Sequence, residues 1–146
     1  MINLRILIIS TITVGTAYAQ TQWLTPPRSL CTQNGGKISA DGICMASWHK
    51  AKQICKAQGG RLADFEELEK VMRSCGGKLN DYKNNRKNAS YQKCYKKEGF
   101  SSLEYSWSST PIGHRSRDAW FLDFSNGGKN YLCKQNEYSV RCIKDE

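Results

Sequence analysis

The chain has 146 residues, of which 22 are lysine or arginine and 13 are aspartate or glutamate, so its formal net charge is +9. This length is typical of one ordinary domain. Its longest apolar run is about 12 residues, shorter than a bilayer-spanning anchor needs, which argues against an integral membrane protein. The positive charge favours polyanionic partners such as sulfated glycans, anionic cell surfaces or nucleic acid, although solubility alone would also explain it.

The N-terminal segment 1–19 has the layout of a secretory signal peptide. Arg5 precedes the apolar run Ile6–Ala17, and the small residue Ala19 ends a suitable cleavage motif. An uncleaved N-terminal anchor is the alternative interpretation. We expect export to the periplasm, cell surface or medium, with no transmembrane anchor after cleavage, and this makes nucleic acid an unsuitable partner.

The chain contains seven cysteines. After export they predict a disulfide framework, because disulfides persist in oxidising compartments. The odd count leaves one free thiol or one intermolecular bond, which would allow a disulfide-linked oligomer. No C-x-x-C pair occurs, and His49 and His114 are isolated, so we predict no metal site and no cofactor. The cysteines are Cys31, Cys44, Cys55, Cys75, Cys94, Cys133 and Cys142.

The first elements of the mature chain are short. Residues 20–30 form an expected extended lead-in, because Pro26 and Pro27 disfavour a helix there. Turn signals between Cys31 and Cys44 predict short strands or a hairpin closed by these two cysteines. We take 31–146 as a single domain.

Two helices follow. Residues 46–58 place Trp48, Ile54 and Cys55 on one face, and a Gly-Gly pair follows as a stop. Residues 64–75 form the second predicted helix, with Asp64 as N-cap and Glu67 three residues later, as in a capping box.

The segment Lys78–Ser102 has few apolar residues and predicts a long irregular loop, partly helical near its end. Such a loop is usually functional or disordered. Its cations suit sulfate groups, its amides and hydroxyls suit sugar oxygens, and Tyr82, Tyr91 and Tyr95 suit stacking on sugar rings. A solvated loop without a ligand is the alternative. The predicted ligand-binding residues are Lys83, Arg86, Lys87, Tyr91, Lys93, Lys96 and Lys97, with His114, Arg115 and Arg117 as a second cluster that would join them in space.

The last third predicts antiparallel strands with a hairpin turn at 125–130. Alternation puts Trp120, Leu122 and Phe124 on one strand face and Ala119 and Phe121 on the other. We expect burial of Trp107, Trp120 and Phe124. Strands, two helices, a long loop and further strands indicate an α+β fold.

Several fragments in this order resemble one known family. They are "WHKAKQICKAQGGRLADFEELEKV" (Trp48–Val71), "YSWSST", "AWFLDFSNGG" and "YSVRCI". The chain is similar, over roughly 42–144, to the C-terminal domain family of the Legionella collagen-like adhesin. That family is related in fold to C-type-lectin-like and formylglycine-generating-enzyme-like domains.

The resemblance implies a C-type-lectin-like α+β domain, with two helices on a twisted antiparallel sheet, a long irregular loop and disulfide staples. It also implies an adhesin-like binding module that recognises sulfated glycosaminoglycans or a host-surface protein. In such folds a cysteine on the first helix is bonded to one on the last strand, which here implies Cys55–Cys142. Cys31–Cys44 follows as the next pair. Cys75, Cys94 and Cys133 then compete for one bond, with Cys75–Cys94 favoured.

Two activities of related folds lack their motifs here. No "EPN", "QPD" or "WND" sequence is present for calcium-dependent sugar binding, so we predict a calcium-independent module. The cysteines look structural, and His114 lies in a loop beside Ser109, Ser116 and Asp118, where sequence neighbours rarely form a triad. We therefore predict no enzyme, and an enzyme on a formylglycine-generating-like scaffold is the least favoured alternative. A structural subunit that uses the odd cysteine or an exposed strand edge is the alternative.

Overall fold

The computed structural model describes residues 21–113 and 117–144. The predicted signal peptide therefore lies outside the described residues, as do His114 and Arg115. The helices of the described part are Arg28–Gln33 (α1), Trp48–Ala57 (α2), Phe65–Ser74 (α3), Tyr82–Lys87 (α4) and Ala89–Lys97 (α5). Its strands are Trp23–Leu24 (β1), Lys37–Ile38 (β2), Cys44–Ala46 (β3), Gly60–Leu62 (β4), Ser106–Pro111 (β5), Asp118–Asp123 (β6), Gly128–Cys133 (β7), Tyr138–Ser139 (β8) and Cys142–Lys144 (β9).

The strands form two sheets, so the prediction of a mixed α+β fold is confirmed. The smaller sheet has the order β1-β9-β4 with antiparallel pairs, and the larger has the order β2-β3-β8-β5-β6-β7. The pairs of the larger sheet are antiparallel except for β5 and β8, which are parallel where Ser106 meets Ser139. The first and last described strands are neighbours, with Leu24 opposite Cys142.

Helices α2 and α3 form where local sequence predicts them. The side chain of Asp64 accepts a hydrogen bond from the Glu67 N–H, and the Glu67 carboxylate accepts one from the Asp64 N–H, each at 2.8 Å. This reciprocal pair is the predicted capping box. Helix α2 ends before Gly59, whose φ of +86° is the left-handed conformation expected of the stop.

The prediction of an extended lead-in over 20–30 is wrong at its C-terminal end, where a helix forms. Trp23 and Leu24 form β1, and α1 begins at Arg28, directly after Pro27. Proline is compatible with this position because a helix start needs no intrahelical bond from its N–H. Cys31 therefore lies on a helix and not in a hairpin, although β2 and β3 do form a hairpin.

The prediction of a long irregular loop over 78–102, beside only two helices, is also wrong. Most of the segment belongs to α4 and α5, which are separated by Asn88 alone. Few apolar residues are needed for these helices, because Tyr91 and Tyr95 lie one turn apart and bury the same face of α5.

The three predicted disulfides are present. Cys31–Cys44, Cys55–Cys142 and Cys75–Cys94 have Cα–Cα distances of 5.9, 5.3 and 5.4 Å. Cys133 is the free cysteine among the described residues. Cys55–Cys142 joins residues 87 positions apart, and closing so long a loop stabilises the fold by about 4–5 kcal/mol in the chain-entropy account.

Strand β6 separates two hydrophobic cores. Ala119 and Phe121 pack into a core that contains α2 and the buried Trp107. Leu122 and Phe124 pack into a second core formed with α3 and α5. The predicted alternation is thus correct, and both faces of the strand are covered.

Burial of Trp107 and Phe124 is confirmed, since each is fully buried, but burial of Trp120 is not. Trp120 is half-buried at the edge of the second core. Its ring lies 4.6 Å from the ammonium of Lys129 and meets the edge of Tyr131. Alternation along β6 places this ring on the correct strand face, but the position at which the second core ends depends on the fold.

Candidate functional site

The segment that carries most of the predicted ligand-binding residues is held against the β6–β7 turn by Asn85. This side chain is 3% exposed. Its oxygen accepts a hydrogen bond from the Lys78 N–H at 3.0 Å, and its Nδ2 donates to the carbonyls of Lys78 at 2.6 Å and Asn126 at 2.8 Å. A Cβ on Gly127 would lie 2.2 Å from that Nδ2, so the turn needs glycine here. Asn85 therefore fixes the start of α4 to the larger sheet.

Helix α5 is fixed along its length and at both ends. Its first turn is capped by the Asn88 side chain, which accepts from the Tyr91 N–H at 3.0 Å. Cys94 bonds it covalently to Cys75 at the end of α3. A Cβ on Gly77 would lie 2.6 Å from the Tyr91 ring, so the chain after α3 approaches α5 closely.

The C-terminal end of α5 is hydrogen-bonded to a buried arginine, Arg141. Arg141 is 4% exposed. Its guanidinium donates to the Glu98 carbonyl at 3.0 Å and to the hydroxyl of Thr25, and it lies 4.9 Å from the centre of the Phe100 ring. Burial lowers the pKa of Arg141 to about 10, and the charge of Glu98 opposes that change. The cation also complements the negative end of the α5 dipole.

The assignments of Tyr91 and Tyr95 to ligand stacking are wrong, because both side chains are fully buried. The Tyr91 hydroxyl donates to the Phe124 carbonyl at 2.5 Å, and the Tyr95 hydroxyl donates to Gln92 Oε1 at 2.6 Å. Both rings belong to the second core. Of the three predicted stacking rings only Tyr82 is exposed, at 49%.

The asparagines of this segment are also engaged within the protein. Asn80 accepts from the Lys129 N–H, and Asn84 donates to both carboxylate oxygens of Asp81. With Asn85 and Asn88 they stabilise the turns and caps. The predicted role of the amides as sugar contacts is therefore replaced by a structural one.

The six predicted cations of α4 and α5 are exposed and repeat one pattern. On each helix they occupy positions i, i+3 and i+4, which share one face. No carboxylate of the described residues forms an ion pair with any of them, and the nearby Asp81 is hydrogen-bonded to Asn84. The result is a solvent-facing cationic surface, which we call the α4–α5 surface: Lys83, Arg86, Lys87, Lys93, Lys96 and Lys97.

Arg117 does not join the α4–α5 surface. It is exposed immediately before β6, whereas α5 contacts the opposite end of that strand through Phe124. The six residues of β6 span roughly 20 Å. His114 and Arg115, predicted to lie beside it, are outside the described residues.

Two glutamates of α3 have arginine partners: Glu67 pairs with Arg61, and Glu69 pairs with Arg73. Glu67 forms two hydrogen bonds with Arg61, at 2.6 and 2.9 Å, and completes the capping box. Burial acts to raise the pKa of Glu67, but the hydrogen bonds from Arg61 and the Asp64 N–H outweigh it and lower that pKa. Such a carboxylate is a poor general acid near neutral pH.

Strand β7 is one of the two edge strands of the larger sheet. A structural subunit could use such an edge for assembly, but the β7 edge is partly blocked. The N–H groups of Lys129 and Tyr131 in β7 point away from β6 and donate to the side-chain oxygens of Asn80 at 3.1 Å and Asn130 at 2.8 Å. Occupied donors make the edge a poor template for another strand. Cys133 lies at the end of this strand, half-buried.

Sequence reasoning missed a cleft between α2 and β4, of about 540 Å³. Lys52 and Lys56 are one turn apart on the outer face of α2, and that spacing could have marked them as a pair. The other wall comes from β4 and β5 and is visible only in the fold.

Comparison with known proteins returned no matching family model, no matching curated protein and no matching solved structure. The fold and the surface thus define a disulfide-bonded α+β domain with a cationic helical face. Within 21–113 and 117–144 no helix has both the length and the apolar character needed to cross a membrane. In the same residues no cluster of three or more His, Cys, Asp or Glu side chains is arranged to hold a metal ion.

Proposed function

We propose that this protein is an exported, adhesin-like binding module that recognises sulfated or otherwise polyanionic glycans, or an anionic host-surface protein, through its α4–α5 surface. The observation that carries the proposal is the set of six exposed, unpaired cations on two adjoining helices. Lysine and arginine neutralise sulfate groups directly, so this mode of binding needs no calcium.

The rigidity of the α4–α5 surface supports the same proposal. The disulfide to Cys75, the Asn85 contacts and the buried Arg141 hold both helices against the sheets. A surface held in place before binding loses less conformational entropy when a ligand arrives. Three disulfides in turn favour an oxidising compartment, in keeping with export.

We also propose that the domain is C-type-lectin-like and related to the collagen-like adhesin domain. The pairing of β1 with β9 and the bond from α2 to the last strand support this relationship. The five helices and the parallel β5–β8 contact of the described part are additions to the expected two-helix pattern.

Equilibrium titration with a sulfated heparin hexasaccharide tests the proposed function. The oxidised protein should bind it in EDTA as tightly as in calcium, and affinity should fall steeply as salt rises, because several ion pairs are screened together. A desulfated hexasaccharide is the matched control and should bind at least about tenfold more weakly. Equal binding of both sugars, or strict dependence on calcium, would contradict the proposal.

A further inference from the structure

A cleft of about 540 Å³ lies between helix α2 and strand β4, with Ser109 of β5 at its side. This volume is within the range of small-molecule sites, which is about 300–1,000 Å³. Its lining residues are Lys52, Gln53, Lys56, Gly60, Arg61, Leu62 and Ser109.

The frame of the cleft is rigid. Ile54 and Cys55 on the inner face of α2 are fully buried, and Cys55 is bonded to Cys142 of β9, the strand that pairs with β4. The Ser109 N–H donates to the Ala63 carbonyl at 2.8 Å, which joins β5 to the end of β4. Sites built on fixed helices and strands hold ligand groups more precisely than loops do.

The mouth of the cleft is cationic. Lys52 and Lys56 form no ion pair with a carboxylate of the described residues. The Lys52 ammonium lies 4.4 Å from the centre of the Trp48 ring, and the ammonium of Lys134 lies 4.2 Å from the same centre. Neither Trp48 nor Lys134 lines the cleft, so the cations of its lining are Lys52, Lys56 and Arg61, the last of them paired with Glu67.

The wall of the cleft, by contrast, is largely carbon. Gly60 and the aliphatic stems of Lys52 and Lys56 contribute to it, with the almost fully buried Leu62 behind them. Lysine stems commonly cover apolar surface while the ammonium stays in water. A cleft with cations at its mouth and an apolar wall below them is complementary to an amphiphilic anion. Such a molecule has a negative group at one end and an apolar part at the other.

We propose that the cleft between α2 and β4 is a second binding site, for a small amphiphilic anion whose carboxylate or sulfate meets Lys52 and Lys56 while its apolar part lies along the carbon-lined wall. The site is independent of the α4–α5 surface. Helix α2 packs into the core on one side of β6, and α5 packs into the core on the other.

Titration of the ¹⁵N-labelled, oxidised protein with octyl sulfate, octanoate and inorganic sulfate, followed by NMR, tests this site. Octyl sulfate and octanoate, kept below their micelle concentrations, should shift the amides of Gln53, Gly60 and Ser109 to saturation. Each buried methylene strengthens binding about fourfold, so inorganic sulfate should bind at least about tenfold more weakly than octyl sulfate. Shifts that grow linearly without saturation, or equal binding of sulfate and octyl sulfate, would overturn the proposal.

Two charge-matched double variants separate this site from the α4–α5 surface. Lys52→Gln with Lys56→Gln should weaken octyl sulfate binding about fivefold, and Lys93→Gln with Lys96→Gln should leave it unchanged. Binding of the heparin hexasaccharide should weaken in the variant with Lys93→Gln and Lys96→Gln. It should stay unchanged in the variant with Lys52→Gln and Lys56→Gln. Octyl sulfate binding that persists in the α2 variant, or falls equally in both, would overturn the cleft assignment whatever the outcome with heparin.

Discussion

At the scale of single residues, side chains that looked like ligand contacts turn out to hold the backbone in place. Asn85 hydrogen-bonds three backbone groups, and for two of them, the Lys78 N–H and the Asn126 carbonyl, it is the partner that the structure shows. Sequence composition could not distinguish this asparagine from its exposed neighbour Asn84, because the distinction depends on contact with the β6–β7 turn 41 residues away. Local sequence does reveal the capping box of Asp64 and Glu67, because both partners lie within one helical turn.

We expect Asn85→Ala to destabilise the fold by about 2–3 kcal/mol, since it leaves the Lys78 N–H and the Asn126 carbonyl without a partner, while the Lys78 carbonyl keeps its bond from the Asp81 N–H. Asn84→Ala, which removes only an exposed contact with Asp81, is the matched control and should cost no more than about 0.5 kcal/mol. Urea unfolding followed by circular dichroism measures both. Equal losses in the two variants would contradict the role assigned to Asn85.

Tyr95 gives the protein a predictable response to alkaline pH. Burial, assisted by the charge of Asp123, raises the pKa of Tyr95 to about 12. The folded protein keeps the Tyr95 proton above pH 10, where the unfolded chain releases it. The contribution of Tyr95 to the free energy of unfolding is therefore complete below pH 10. It is lost at about 1.4 kcal/mol per pH unit between pH 10 and 12.

Replacing Tyr95 with phenylalanine should therefore reduce the loss of stability between pH 10 and pH 12. Urea midpoints at the two pH values measure the effect, in a Cys133→Ser background that prevents thiol–disulfide exchange at high pH. Exposed Tyr82→Phe is the control and should follow the parent protein. A parallel decline in all three proteins would show that Tyr95 does not ionise on unfolding in this range.

At the scale of elements, β7 is protected along its open edge by side chains and not by another strand. The amide oxygens of Asn80 and Asn130 occupy two outward N–H groups, and the exposed Leu132 lies on the same strand. Open strands without such protection pair readily with other chains.

The double variant Asn80→Ala with Asn130→Ala should therefore self-associate more strongly than the parent protein. We expect sedimentation velocity to show a concentration-dependent dimer in the double variant, and a monomer in Asn84→Ala at the same concentrations. A monomeric double variant would mean that the two asparagines do not protect the edge, and a dimeric parent would favour the assembly interpretation.

Helices α4 and α5 show why part of the secondary structure could not be predicted. Residues 82–97 have no continuous apolar stripe, and their lysines and asparagines are typical of a loop. Helix α5 forms because Tyr91 and Tyr95 have a core to enter, and that core comes from Phe124 and α3. Helix α4 is held through the buried Asn85 and its bond to the β6–β7 turn. Helices α2 and α3, whose apolar faces are complete, were predictable within one or two residues.

At the scale of the whole molecule, the two hydrophobic cores lie on opposite faces of β6. They separate the α4–α5 surface from the cleft between α2 and β4. Alternation along 119–124 predicted the two faces of this strand, but not that both would be covered. The α4–α5 surface and the cleft lie over different cores, so each can be altered with little effect on the other. The predicted meeting of Arg117 with the lysines of α5 is wrong for a different reason, since Arg117 and α5 lie at opposite ends of β6.

We propose that binding of polyanions depends on the position of the cations and not on net charge alone. Two variants that lose equal charge distinguish these possibilities. One replaces Lys93, Lys96 and Lys97 of the α4–α5 surface with glutamine. The other replaces three exposed lysines elsewhere with glutamine: Lys50, Lys70 and Lys144.

The deciding measurement is the salt concentration at which each variant elutes from immobilised heparin. The α5 variant should elute about 0.1–0.2 M NaCl earlier than the parent protein, because it loses several adjacent ion pairs, while the matched variant should shift by no more than about 0.05 M. Circular dichroism of both variants verifies folding. Equal shifts in the two variants would show that heparin binding depends only on net charge, and would contradict a specific α4–α5 site.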